Sequence, residues 1–384
     1  MHNNLNTFLK IALISIIPTL LIWLPFFFRI GSFWGIPLPK DGMAVVAANY
    51  DGPLYIAVAK TLYDKTAISS FPFDLPTEYY AAHFPLYPIL IKVFAGVFGF
   101  PYSMLFVTAL SSIVAMYFFY LLFKQLVGSD KALLATIIFS IFPARWLIVR
   151  SVGSPEPLFL GAIIASVYYF RNNRYLLAGI WGAIAQFTKS PGILLFIAYC
   201  FTIGFPLFRK MATSNKRENI IVELRKYWGI ILIPISLLIT FALFKVQMND
   251  FWAYFRSGDN IHLFFPPFQI FNFSSPWVGT FWLEEIIFVY LFGILGLIKL
   301  IKSGSVHMAW VVGVFFASLL FVSHRDLIRY SLPIVPFLLA AYAKDLVKKD
   351  FKVVIAILII PIYLFSLAFI SQNVMPISNW GPLL

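Results

Sequence analysis

The stretch "HFPLYPILIKVFAGVFGFP" (residues 83–101) decides how the rest of the chain is threaded. It is apolar enough to enter a bilayer, yet it falls short of the roughly 20 uninterrupted apolar residues that a spanning helix needs. Pro85, Pro88 and Lys92 interrupt it further. A segment of that kind reads as interfacial or re-entrant. Its neighbours are unambiguous. The chain is 61% hydrophobic and only 12% charged, where a soluble domain carries about 25% charged residues. Runs of apolar residues recur along it, near 8–30, 102–124, 132–149, 155–170, 175–190, 191–208, 228–247, 283–301, 307–323, 331–347 and 353–371. The expected fold is therefore an all-α polytopic membrane protein of about 11 transmembrane helices, treated as one unit over 1–384. No internal repeat or separate soluble domain interrupts it.

The loops test whether 83–101 crosses. If it does not, "KQLVGSDK" (124–131), "RNNR" (171–174), "RKMATSNKRENIIVELRK" (209–226), "KLIK" (299–302) and "KDLVKKDFK" (344–352) all fall on one side. Loops rich in Lys and Arg face the cytoplasm, so that side is assigned as cytoplasmic. The same rule accounts for the net charge of +13 without invoking nucleic acid. The N-terminus is then inside, as part of an uncleaved first span. The outer side receives loop 31–101, "RSVGSPEP" (150–157), "TKSPG" (188–192), loop 248–282, "SHRDLIRY" (323–330) and the tail. The largest cytoplasmic loop is 209–227. If 83–101 did cross, Asp51 would be stranded on the cytoplasmic side, away from the other polar clusters.

Asp51 stands in "ANYDGPLYIAVAKTLYD" (48–64), before a helical pattern. Leu54, Val58 and Leu62 form a row at i, i+4 and i+8, while Lys60, Thr61 and Asp64 are polar. This predicts a membrane-surface helix near 53–64, with a second near 85–99. With Gly52 and Pro53 beside it, Asp51 also fits a simple helix cap. Other ionisable groups are expected on the same face. Arg150 ends one span and Glu156 begins the next; Lys189 ends another; His324, Arg325, Asp326, Arg329 and Tyr330 precede a further one, and His83 opens the second surface helix. A bland account exists for each, as an interfacial ion pair or a snorkelling side chain. Together they form a band at headgroup depth, while charges in mid-span are scarce. The band suits a lipid phosphate held by Arg and Lys, with a carboxylate free to act as a base. A transporter or lipid flippase would instead be expected to show pseudo-repeats and polar groups near the bilayer midplane. A membrane scaffold subunit is a third reading of the same charges. The lone Cys200 excludes an intrachain disulfide and a cysteine-rich metal site.

The order of these motifs resembles the GT-C superfamily of polyprenyl-phosphate-sugar-dependent glycosyltransferases, and most closely its PIG-V-like mannosyltransferases. "YDGPLYIAVA" (50–59) and "HFPLYP" (83–88) are similar to that branch's WDG-x-x-Y-x-x-IA and FFPLYP signatures. Weaker echoes lie at 143–160 and in "RYSLPIVPFLLA" (329–340). Tyr50 stands where the family has Trp, His83 where it has Phe, and "SPEP" where eukaryotic relatives tend to have Ser-Glu-Ser. The resemblance implies a catalytic aspartate in the first outer loop, which carries onto Asp51. It implies inverting transfer of a sugar, with mannose the first candidate, from a polyprenyl-phosphate donor at the extracytoplasmic face. The acceptor could be a glycolipid, a glycan or a protein. On that reading Arg150, Lys189, Arg325 and Arg329 contact the donor phosphate. Tyr50, His83, Glu156, His324 and Tyr330 bind or orient substrate. Some branches use a divalent metal, for which Asp51 and Glu156 are the candidate ligands.

Overall fold

The computed structural model describes residues 2–213, 223–258, 261–272, 274–275 and 283–384. Parts of the predicted loops 209–227 and 248–282 therefore lie outside the described residues. Helices make up almost all of the regular structure. They are α1 (His2–Phe27), α2 (Met43–Ala47), α3 (Gly52–Thr61), α4 (Lys65–Ile68), α5 (Leu86–Phe98), α6 (Phe100–Val127), α7 (Ser129–Ile141), α8 (Ala144–Arg150) and α9 (Glu156–Arg171). There follow α10 (Tyr175–Thr188), α11 (Ile193–Thr213), α12 (Leu232–Met248), α13 (Leu283–Lys302), α14 (Val306–Leu319), α15 (Leu327–Tyr330), α16 (Val335–Ala341), α17 (Ala343–Leu346) and α18 (Lys349–Gln372). A two-residue ribbon, Ser32–Phe33 with Ile36–Pro37, closes the turn after α1.

Each expected span falls on helical structure, but not each is a full span. Among the described residues, five helices are long and apolar enough to cross a membrane, and six if the α7–α8 pair counts as one broken span. The expected number was about 11. The shortfall has a local cause. Pro143 separates α7 from α8, which meet at 76°. Lys189 leaves α10 in extended backbone ahead of the Ser190–Gly192 turn, and the segment expected as one span at 331–347 is broken into shorter helical pieces. These breaks bring side chains and irregular backbone inward at one end of the bundle, where protein rather than lipid surrounds them.

α6, about 42 Å long at 1.5 Å per residue, is the central post. α9 crosses it closely: a Cβ added at Gly161 would lie 3.1 Å from the Ala115 Cα. Small residues of this kind let membrane helices approach to backbone contact.

α5 is the helix formed within 83–101. The Tyr87 hydroxyl meets Thr108 Oγ1 at 2.6 Å, while Phe94 and Phe98 both pack against Phe106 at 5.0 Å. Moving from Tyr87 to Phe98 along α5 thus advances only from Thr108 to Phe106 along α6. The helix lies across the first turns of α6 instead of running beside it. Its outer row is apolar and open, with Val93 66% and Val97 74% exposed, as an interfacial helix requires.

α3 departs from expectation. It does not lie on the membrane surface: every residue from Gly52 to Ala59 is buried, against α5, α6 and residues 381–383. Lys60, Thr61 and Asp64, taken as its polar face, are in fact its C-terminal end. Residues 373–375 return to the same place. Val374 bridges Asn49, the Met375 amide donates to Ala48 O at 2.8 Å, and Leu383 is fully buried.

Candidate functional site

The turn between α2 and α3 presents Tyr50 and Asp51. Tyr50 adopts a left-handed backbone (φ 49°), uncommon for a bulky residue and costing about 1–3 kcal/mol where it occurs. Asn49 helps to hold the turn. It is 0% exposed and donates through Nδ2 to Ile370 O at 2.8 Å, and its Oδ1 accepts from Asn373 at 3.1 Å. Asp51 occupies the cap position of α3 without bonding the helix through its side chain. The cap explanation therefore leaves its carboxylate unused.

That carboxylate opens onto a polar chamber of about 200 Å³. Tyr50, Asp51, His83, Glu156, Lys189, His324, Arg329 and Tyr330 all line it. Residues distant in sequence converge because α9 begins there at Glu156, α10 ends there at Lys189, and α15 opens there at Leu327. Asp51 and Glu156 thus lie at the same end of the bundle, with α5, α6 and the α7–α8 pair between them in sequence.

Glu156, Lys189 and Arg329 are paired at the chamber wall. Lys189 Nζ lies 2.6 Å from Glu156 Oε1, and Arg329 Nη1 lies 3.8 Å from the same oxygen. Ser154 Oγ donates to the other oxygen, Oε2. Arg329 Nε reaches Asp326 Oδ2 at 3.1 Å, and Arg145 Nη2 reaches Asp326 Oδ1 at 3.3 Å. Arg145 also donates to the Tyr50 hydroxyl at 3.1 Å, and the Arg329 guanidinium lies 4.5 Å from the Tyr50 ring centroid. Tyr50 is thus held between two guanidiniums, one bonded and one in cation–π contact. Burial pushes the Asp326 carboxyl up, against the pull of Arg329 and Arg145. Burial also pushes the Tyr50 phenol and His83 towards their neutral forms. His324 packs 4.2 Å from the His262 ring; burial, helped by His262 and the nearby arginines, takes it down to about 3. It is a neutral imidazole at ordinary pH.

A second, apolar chamber of about 310 Å³ adjoins the first. Phe159, Leu160, Leu194, Leu237, Phe315 and Leu319 form much of its wall. Glu156, Lys189, Tyr254, His262, Arg329 and Tyr330 line both chambers, so the two cations stand at the junction.

Two expected phosphate contacts are not there. Arg150 is 1% exposed and turned into the helix packing, where it donates to Ser140 O and to Ser15 O and Oγ. Its position at a helix end suggested the outer face, but the bend after α7 turns it between α1 and α7. Arg325 is exposed and lines neither chamber, because the turn at 324–326 points it outwards. Of the two candidate metal ligands, Glu156 has both oxygens already held, by Lys189 and Ser154. Among the described residues no group of three His, Cys, Asp or Glu could hold a metal ion.

Other contributors were not singled out from sequence. Arg145 was hidden inside an apparent span (132–149), though a charge within "FPARWLIVR" was itself a signal of a broken helix or a site. Asp326 was noticed but given no role. Tyr55, Tyr79, Tyr254 and His262 complete the polar wall, and aromatic residues are too common in this chain to stand out.

Residues 82–240 match the family model described as dolichyl-phosphate-mannose-protein mannosyltransferase. No curated protein matches the chain. Among solved structures, the chain is similar to the oligosaccharyltransferase AglB of Archaeoglobus fulgidus, in complex with an inhibitory peptide and a dolichol-phosphate. The TM-score is 0.55 at 12% identity, over 97% of this chain and 57% of that one. It is also similar to ArnT of Cupriavidus metallidurans bound to undecaprenyl phosphate, with a TM-score of 0.53 at 12% identity, over 94% of this chain and 74% of that one. The chain thus spans little more than half the length of the archaeal protein. The chain shares the fold of these two proteins, in a multi-pass membrane protein.

Proposed function

We propose that this chain is an inverting glycosyltransferase that moves a sugar from a polyprenyl-phosphate donor to an acceptor hydroxyl. The observation that carries the reading is the junction of the two chambers. An apolar cavity suited to an isoprenyl chain meets a polar cavity of about 200 Å³ at Lys189 and Arg329, with Asp51 on the polar side. A phosphodiester at the junction would take charge-assisted contacts from both cations. The sugar would then lie in the polar chamber, among Tyr50, Tyr55, Tyr254 and Tyr330, with its anomeric carbon between phosphate and base.

In the reaction, Asp51 takes the proton of the acceptor hydroxyl as that oxygen attacks C1. The bond from C1 to the phosphate oxygen breaks, and its electron pair leaves with the polyprenyl phosphate. Lys189 and Arg329 stabilise the charge that develops there. A single displacement of this kind inverts the anomeric centre. Asp326 and Arg145 hold Arg329 and Tyr50 in place from behind. Mannose is the sugar favoured by the family resemblance and by the description of the matching family. The acceptor class stays open among glycolipid, glycan and protein. Loop charge asymmetry assigns the chamber to the extracytoplasmic face and the N-terminus to the cytoplasm.

The decisive experiment is transfer by purified, reconstituted protein from a polyprenyl-phosphate-mannose donor, with Asp51→Asn beside the wild type. Loss of a positioned base costs about 10²–10⁴ in rate, with thermal unfolding and donor binding retained. Unchanged transfer by Asp51→Asn would remove the base assignment. Sidedness is tested by cysteine labelling after Cys200→Ser, which removes the one native thiol. Ser70→Cys and Arg325→Cys, both at exposed positions, are labelled in intact cells by an impermeant reagent. Ser303→Cys, exposed at the other end, is labelled only after permeabilisation. Labelling of Ser70→Cys and Arg325→Cys from opposite faces would overturn the topology.

A further inference from the structure

We propose that Glu156 sets the balance between donor and product, acting as the counter-charge that lets the spent lipid phosphate leave. The inference rests on the transferase reading above and goes beyond it, to a residue given no step in the transfer. One oxygen of Glu156 is shared by Lys189 at 2.6 Å and Arg329 at 3.8 Å, and the other is held by Ser154. Both cations at the chamber junction are therefore already partly neutralised before any lipid arrives. Around the chamber, Arg145, Lys189 and Arg329 face Asp51, Glu156 and Asp326. The cluster carries three charges of each sign and is neutral.

The reaction changes the charge of what sits there. The donor is a phosphodiester with one negative charge. Breaking the C1–O bond leaves a phosphate monoester whose second pKa is near 6, so it carries close to two charges at pH 7. The acceptor's proton goes to Asp51 and then to water, which balances the step. Two unopposed cations would hold the product more tightly than the substrate, and each turnover would end with the lipid trapped. A fixed carboxylate against both cations opposes the added charge. It also re-forms its pair with Lys189 as the phosphate departs, so no buried ammonium is left alone. The bland alternative is that Glu156 only favours the start of α9, where a carboxylate interacts well with the helix dipole. That role would change stability and leave the preference between the two lipids untouched.

The test compares binding of a prenyl phosphate with binding of its methyl phosphodiester, which cannot transfer. One charge added or removed this close to a ligand, partly shielded from water, shifts affinity by about tenfold or more. Glu156→Gln is expected to tighten the monoester by about tenfold relative to the diester. In turnover it gives a rapid first cycle followed by a slower steady state. Lys189→Gln is expected to shift the ratio in the opposite direction, and serves as the test should Glu156→Gln fail to fold. Glu156→Asp, which keeps the charge and alters the geometry, retains the wild-type preference. Equal weakening of both lipids in Glu156→Gln, or the same direction of shift in Glu156→Gln and Lys189→Gln, would overturn the proposal. If the wild type binds neither lipid, it is the transferase reading that falls, and the two failures are told apart.

Discussion

Arg150 is buried and Arg329 partly buried; both stand at short helices, and both were placed at the outer face by the same sequence argument. Their surroundings differ completely. Arg150 donates to the Ser140 carbonyl and to the carbonyl and hydroxyl of Ser15, with its guanidinium 5.9 Å from the Trp146 ring centroid. It ties α1 to α7 and α8. Arg329 is paired with two carboxylates, Glu156 and Asp326, and lies against two aromatic rings while facing both chambers. The first cation is bonded to backbone carbonyls and a hydroxyl and lines neither chamber. The second is balanced by acids that can share it with a ligand. A buried charge thus becomes a binding group through what can be exchanged for its partners, and not through burial itself.

Substitutions can break this contrast. The largest effect is expected at Arg150. Arg150→Ala leaves a cavity and unpaired carbonyls between helices, a loss of about 2–5 kcal/mol in stability. Thermal unfolding of detergent-solubilised protein measures it, and the folded fraction keeps wild-type donor affinity. A specific loss of donor binding in folded Arg150→Ala would return that residue to the site. Arg329→Ala follows, with the reverse pattern: donor binding weaker by about 1.5–3 kcal/mol, near ten- to a hundredfold, as one charge-assisted contact disappears. Titration with a prenyl phosphodiester reads it. The smallest change is expected at Arg325. As an exposed side chain lining neither chamber, its replacement by Ala stays within about 0.5 kcal/mol for stability and leaves donor binding unchanged. A tenfold loss there would mean that the turn at 324–326 swings inwards when lipid binds.

The sequence made the membrane architecture legible because long apolar runs have few alternative meanings. α1, α6 and α18 could be placed from hydropathy alone. The shortness of α5 was legible too, through the prolines that flank and interrupt it. What failed was the reading of α3. A row of Leu54, Val58 and Leu62 fits a surface helix, but Tyr55, Ile56, Ala57 and Ala59 are equally apolar, and the helix is covered on all sides. One-sided periodicity was inferred from polar residues that only mark the helix end. Within the site, the sequence brought out Asp51, Glu156, Lys189 and Arg329 because charges are rare in such a chain. It could not rank Arg150 below them, since rank depends on a 76° bend that a proline allows without specifying. Arg145 was lost to the same bend.

The clasp of Asn49 and Ala48 by Ile370, Asn373, Val374 and Met375 has a consequence for the order of events in the cell. Asn49 and its partner Ile370 are 321 residues apart. At a synthesis rate of about 5–20 residues per second, the turn bearing Asp51 leaves the ribosome roughly a quarter of a minute to a minute before the strand that pins it. During that interval the cations and both chambers are being assembled around a turn that is not yet held. The turn bearing Asp51 is therefore among the last features of this chain to be fixed in place.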